Sequence, residues 1–278
     1  MPTIYRTTAY RYPDETVIFW ATVLLIVIVI AITAATTVCL SLVFFIGILA
    51  VSYSFTRAQQ RALAAQTIRL TPQSAPAAAA AAGEASARLQ TEPVEIYIAP
   101  NRSLNAYTFG LDTPKTIVLH SSLFEVMDRD ELQFVIGHEM GHVCLGHTWL
   151  NSLVGGLAGV PSSSGASLLM ALVFRSWNRS CEFSADRAGM LACGKPAKSV
   201  SALIKLHAGS AALTNQANLE RALQSIEAED DSLFNNLSEL LATHPMIVKR
   251  IQQIRRYAAT NEYQSLQLRM NKNLDGPN

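Results

Sequence analysis

Charge is scarce in this chain. Asp, Glu, Lys and Arg make up 15 % of the 278 residues, against an ordinary share of about 25 %. The 22 basic and 21 acidic residues nearly cancel, leaving a net charge of +1. No basic excess exists to neutralise a run of phosphates, which argues against nucleic acid as a main partner. Cysteine is also sparse: four residues with no C-x-x-C pair, and Cys39 within an apolar run. That pattern excludes a disulfide framework and reads as small buried residues in a reducing compartment. What the chain has in quantity is apolar surface, 50 % of its residues. Disorder is thereby excluded, and one or two domains with a sizeable core are implied.

The missing charge is concentrated near the N-terminus. From Thr16 to Thr56 the chain runs 41 residues without Asp, Glu, Lys or Arg. One helix of that length would measure roughly 60 Å at about 1.5 Å per residue, twice a bilayer core of about 30 Å. Two crossings fit better, over 17–32 and 38–55, turning at the mildly polar patch around Thr36 and Thr37. A cleaved signal peptide would need an apolar region of only about 7 to 15 residues. Arg6 and Arg11 precede the run, Arg57, Arg61 and Arg69 follow it, and the turn carries none. By the positive-inside rule both ends face the cytoplasm, and the expected location is the cell (inner) membrane, multi-pass.

The expected organisation is a cytoplasmic segment 1–15, two membrane helices over 16–56, a linker over 57–91, a folded domain over 92–260 and a tail over 261–278. Within the linker, Pro72 to Ala87 holds six consecutive alanines with Pro, Gly and Ser and reads as a low-complexity tether. Extended runs at Val94 to Ile98, Asn105 to Phe109 and Thr116 to Leu119 suggest a small antiparallel sheet. Beyond Ser121 the pattern is helical. Ser122 with Glu125 and Asp128 with Glu131 have the spacing of capping boxes, and later helices are expected over 182–192, 197–209, 218–229 and 245–257. The fold class expected is α+β and mostly helical.

Leu132, Val135 and Ile136 recur at helical spacing and lead into Gly137-His138-Glu139-Met140-Gly141-His142. His138 and His142 are one turn apart, so both imidazoles leave one helix face and can share an ion, with Glu139 beside them. Zn²⁺ takes neutral imidazole, keeps a position for water and lowers the pKa of that water towards about 7, which makes Glu139 the natural general base. The triplet would arise by accident roughly 0.006 times in a chain of this composition. A third ligand is needed. His147 falls five residues after His142, the wrong register for a metzincin site, and reads as a partial cation ending the helix. Glu182 fits better, because Asp186 one turn on can accept the other ring N–H of a ligating histidine.

The two motifs, H-E-x-x-H at 138–142 and Glu-x-x-x-Asp at 182–186, resemble those of the HtpX-like and CAAX prenyl protease family of membrane zinc metallopeptidases. The resemblance covers about 94–257. It implies a zincin-type domain with one Zn²⁺ per chain held by His138, His142 and Glu182, Glu139 as base and Asp186 supporting His138. Asn105-Ala106, followed by Tyr107, resembles the family's edge strand, and His244-Pro245 its late His-Pro element. On that footing, residues 105–109 would hold a substrate segment by strand addition, and His244 would stabilise an oxyanion or gate the site. Read alone, Asn105 equally suits a turn, and His244 a helix start with Pro at its first position.

The resulting expectation is a membrane-anchored zinc endopeptidase that hydrolyses peptide bonds with Glu139 assisting the attack of zinc-bound water. Membrane or misfolded proteins are the expected substrates, and the lipid bilayer the expected surroundings. A membrane-tethered non-catalytic adaptor or chaperone-like protein with a structural metal is the competing class; the adaptor would need a fourth protein ligand from His147 or His244, and an intact Glu139 argues against the chaperone-like form. Thr148 to Phe174 is also uncharged, but Gly and Pro break it into pieces too short to span a bilayer.

Overall fold

The computed structural model describes residues 7–36, 66–110, 113–148, 165–214 and 245–274, with isolated positions between 43 and 62. A 3-10 turn (Thr7–Tyr10) leads to α1 (Glu15–Thr36), β1 (Ile68–Arg69), α2 (Pro76–Leu89), β2 (Val94–Ala99), β3 (Ala106–Phe109) and β4 (Lys115–His120). Then follow α3 (Leu123–Val126), α4 (Arg129–Cys144), α5 (Gly165–Cys193), α6 (Pro196–Thr214), α7 (Pro245–Ala258) and α8 (Asn261–Leu274). The helix expected over 218–229 lies outside the described residues.

The sheet is mixed, not antiparallel as the strand spacing suggested. Its order is β1-β2-β4-β3, with β2 and β4 parallel and the two outer pairings antiparallel. The reason lies in β4. Ile117, Val118 and Leu119 are fully buried, and a strand apolar on both faces belongs inside a sheet. β4 therefore inserts between β2 and β3 and runs alongside β2, leaving β3 at the edge.

The segment read as a tether is a core helix. α2 begins with Pro76 in its first turn and buries Ala78, Ala81, Ala82, Ala85 and Leu89, packing mainly against α4. Alanine is the best helix former, and its small side chain lets two backbones approach closely. Packed structure is therefore already present within the stretch expected as a linker, upstream of residue 92. The expected tail is likewise structured, since α8 buries Tyr263, Leu266 and Met270.

Most of the second expected span, 38–55, lies outside the described residues. Among those described, no helix is long and apolar enough to cross a membrane. The first two turns of α1 serve another purpose. Glu15 and Thr22 are buried, while Ile18 and Phe19 pack on Trp177 and Cys181 of α5. Val17, Trp20, Leu24, Val27, Ile28 and Ile32 nonetheless stand exposed along α1. From residue 165 the hydrophobic stretch before the second motif is the start of α5 itself.

Candidate metal centre

The histidine motif lies on α4, whose start is fixed by a complete capping box. Asp128 Oδ1 accepts from the N–H groups of Asp130 (3.0 Å) and Glu131 (2.9 Å), and Glu131 Oε2 accepts from Asp128 N–H (2.9 Å). Lys205 Nζ donates to the same carboxylate at 2.7 Å, and Ser201 also binds it. Ser122, the other expected cap, makes no capping bond and donates instead to Ser103 O at 2.7 Å.

α4 meets α5 through small residues. A Cβ added at Gly137 would lie 2.3 Å from Ala192 Cβ, and one at Gly141 2.6 Å from Ala188 Cβ. These close approaches bring the two motifs together, since His138 and His142 share the face of α4 that meets Glu182. His138 Nε2 and His142 Nε2 are 3.2 Å apart, and each lies 3.6 Å from an oxygen of Glu182. Ligand atoms around a tetrahedral zinc with bonds of about 2.0–2.1 Å stand about 3.3 Å apart. The donor set therefore fits one cation: two imidazole nitrogens and a carboxylate converge on a single point.

The surroundings hold these groups in ligating form. Burial, with His138, His147 and Arg250 nearby, pushes the pKa of His142 well down, keeping it neutral. His138 Nδ1 lies 3.0 Å from Asp186 Oδ1. Burial opposes the charge of Asp186, but the Arg250 guanidinium outweighs it and holds the carboxyl at about 2. Arg250 is itself buried and grips Asp186 with two bonds, Nε to Oδ2 at 2.8 Å and Nη2 to Oδ1 at 2.6 Å, while its Nη1 lies 3.0 Å from Glu182 Oε2.

Glu139 is buried, which raises its pKa, and Thr108 Oγ1 donates to its Oε2 at 2.6 Å. Thr108 belongs to β3, the edge strand. A cleft of about 360 Å³ runs between β3 and α4, lined by Asn105, Ala106 and Tyr107 on one side and by His138, Glu139 and His142 on the other. His120 N–H donates to Asn105 O at 3.0 Å. By antiparallel alternation, the backbone groups of Ala106 and Thr108 then face the open edge.

The structure thus brings together His138, Glu139, His142, Glu182, Asp186, Asn105, Ala106 and Tyr107. His244 lies outside the described residues. The sequence reading missed three groups. Arg250 carried a signal, since it occupies the apolar stripe Ile247, Ile251, Ile254 of α7, where an unpaired charge would be costly. Thr108 and Glu15 carried none. His147, read as a helix-end cation, is buried instead, with Nδ1 3.0 Å from His142 Nδ1 and Nε2 3.1 Å from Glu15 Oε1. α4 ends before His147, so the ring is free to turn inward.

A family model for peptidase family M48 matches residues 73–258. The chain is 32 % identical over 203 residues to "Plastoglobule-localized metallopeptidase 48, chloroplastic" of Arabidopsis thaliana, covering 68 % of this chain and 59 % of that protein. It is 25 % identical over 275 residues to a "Protease HtpX homolog" of Paenarthrobacter aurescens, covering 87 % and 93 %. A further "Protease HtpX homolog", from Syntrophotalea carbinolica, is 27 % identical over 201 residues, covering 58 % and 68 %. With most of the chain matched and both motifs folded onto one cleft, the chain belongs to peptidase family M48 and is an HtpX-like metallopeptidase.

Proposed function

We propose that the chain is a membrane-anchored zinc endopeptidase acting on membrane or misfolded proteins. One observation carries the reading: the three ligand atoms of His138, His142 and Glu182 lie within 4.8 Å of one another at the base of the β3 cleft. When bound, zinc supplies Lewis-acid polarisation of a carbonyl and a water that is nucleophilic near neutral pH. Glu139 faces the same cleft, accepts a proton from the attacking water and passes it to the leaving amine. Thr108 orients the Glu139 carboxylate, and Asp186 and Arg250 hold His138 and Glu182. A substrate segment lies along β3 as an added strand, bonded to the open-edge groups of Ala106 and Thr108. An extended backbone in a cleft matches an unfolded or loop segment better than folded surface.

The uncharged run 16–56 is the element that would hold the protein to lipid, and the exposed apolar side chains of α1 support that reading. The arginines flanking the run favour a cytoplasmic catalytic domain. Glu139→Gln tests the chemistry: the variant retains zinc by elemental analysis and loses peptide cleavage. Cleavage at the parent rate would remove Glu139 as the base. His138→Ala loses the metal. Comparing substrate fragments from cells expressing the parent and Glu139→Gln then identifies the protein class that is cut.

A further inference from the structure

Beyond the metal ligands and Asp186, a second polar chain reaches the metal centre from the opposite side. His142 directs Nε2 toward the convergence point and Nδ1 toward His147 Nδ1, 3.0 Å away. His147 then directs Nε2 to Glu15 Oε1 at 3.1 Å. Glu15 is the first residue of α1, and Arg11 and Ser184 also bind its carboxylate. Three further bonds pin the segment before α1 to the centre: Arg11 Nη2 to Leu145 O at 3.2 Å, Tyr12 N–H to Ser184 Oγ at 2.8 Å, and Arg187 Nη1 to Arg11 O at 3.3 Å.

Each link fixes the next. A carboxylate only accepts, so Nε2 of His147 carries the hydrogen, and in the neutral ring Nδ1 is then a lone pair. That lone pair accepts from Nδ1–H of His142, which leaves Nε2 of His142 bare and directed at the other ligands. This is the tautomer a metal requires. We propose that Glu15 and His147 are positioning residues of the metal centre, fixing the tautomer and ring orientation of His142 and tying metal affinity to the seating of the first turn of α1. The proposal rests on the reading of His142 as a ligand.

Glu15, His147 and Cys181 also gather potential donor atoms within 4.8 Å of one another, so a second ion is the rival account. Arg11 argues against it, because its guanidinium already occupies Glu15, and both ring nitrogens of His147 are engaged.

The test uses the full chain in detergent. Zinc affinity is measured by competition with a chromogenic chelator, alongside thermal unfolding of the zinc-free protein. His147→Phe keeps an aromatic ring beside Trp177 but removes both nitrogens, and it should weaken zinc binding about 10–100-fold. His147→Gln should recover most of that loss, because its amide can accept from His142 and donate to Glu15. Glu15→Gln keeps an acceptor without the charge; it should weaken zinc binding several-fold while the zinc-free unfolding temperature holds within a few degrees. Parent affinity in both His147→Phe and Glu15→Gln would overturn the proposal. So would an affinity loss in His147→Gln equal to that of His147→Phe. Two zinc ions per parent chain, with one lost in Cys181→Ser, would establish the rival account. Full zinc retention in His142→Ala would instead remove the ligand reading beneath the proposal.

Discussion

Arg250 shows how much of the centre depends on a residue that touches no reacting atom. It is the only arginine or lysine within bonding distance of both Asp186 and Glu182 among the described residues. Removing one partner of a buried ion network leaves uncompensated charge and typically costs about 3–5 kcal/mol. Arg250→Met should therefore lower unfolding stability in denaturant by about that amount and reduce zinc occupancy. Arg250→Lys should recover little, because a single ammonium cannot reproduce a forked contact to two carboxylates. Thr108→Val removes one hydroxyl from Glu139. A hydrogen bond to a charged group is worth about 1.5–3 kcal/mol, so kcat/KM should fall about 10- to 100-fold with zinc content unchanged.

At the scale of elements, the contact between α4 and α5 sets the ligand spacing. Gly137 and Gly141 let the helices approach until the imidazoles and Glu182 converge, and an added methyl has no room to be absorbed. Gly137→Ala should cost about 1–3 kcal/mol of stability through overpacking and weaken zinc binding, as thermal unfolding with and without the metal would show. β3 governs a different quantity. Ala106→Pro deletes an open-edge N–H on a strand position where proline is tolerated. It should raise KM for a peptide substrate several-fold and leave kcat and zinc content nearly intact in steady-state assays.

For the whole molecule, the metal would cross-link α4 to α5 through side chains 40 or more residues apart in the chain. An ion bound only by the folded state stabilises it by about 2.7 kcal/mol at a free concentration 100 times Kd. Stripping zinc with a chelator should therefore lower the unfolding temperature, and restoring zinc should raise it again. Equal unfolding temperatures in the two states would argue that the ion adds nothing to the fold.

The H-E-x-x-H helix and its capping box were legible because their rules are local: one helical turn separates the histidines, and three residues separate Asp128 from Glu131. Glu182 and Asp186 were legible for the same reason, each pair needing only helical spacing to share a face. The alanine run misled, because low complexity marks a tether only when no partner buries it, and α4 was the partner. The parallel pairing of β2 with β4 depends on which strand reaches the sheet centre, a competition among distant segments for the same buried slot. Arg250, Thr108 and the Glu15–His147 pair depend on elements meeting across more than 30 residues of chain. The sequence alone determined which side chains could ligate a metal and which of them share a helix face, since residue type and helical register are properties of neighbouring residues. Only the tertiary structure decided what supports, orients and flanks that chemistry, since burial and distance arise only when separated elements pack.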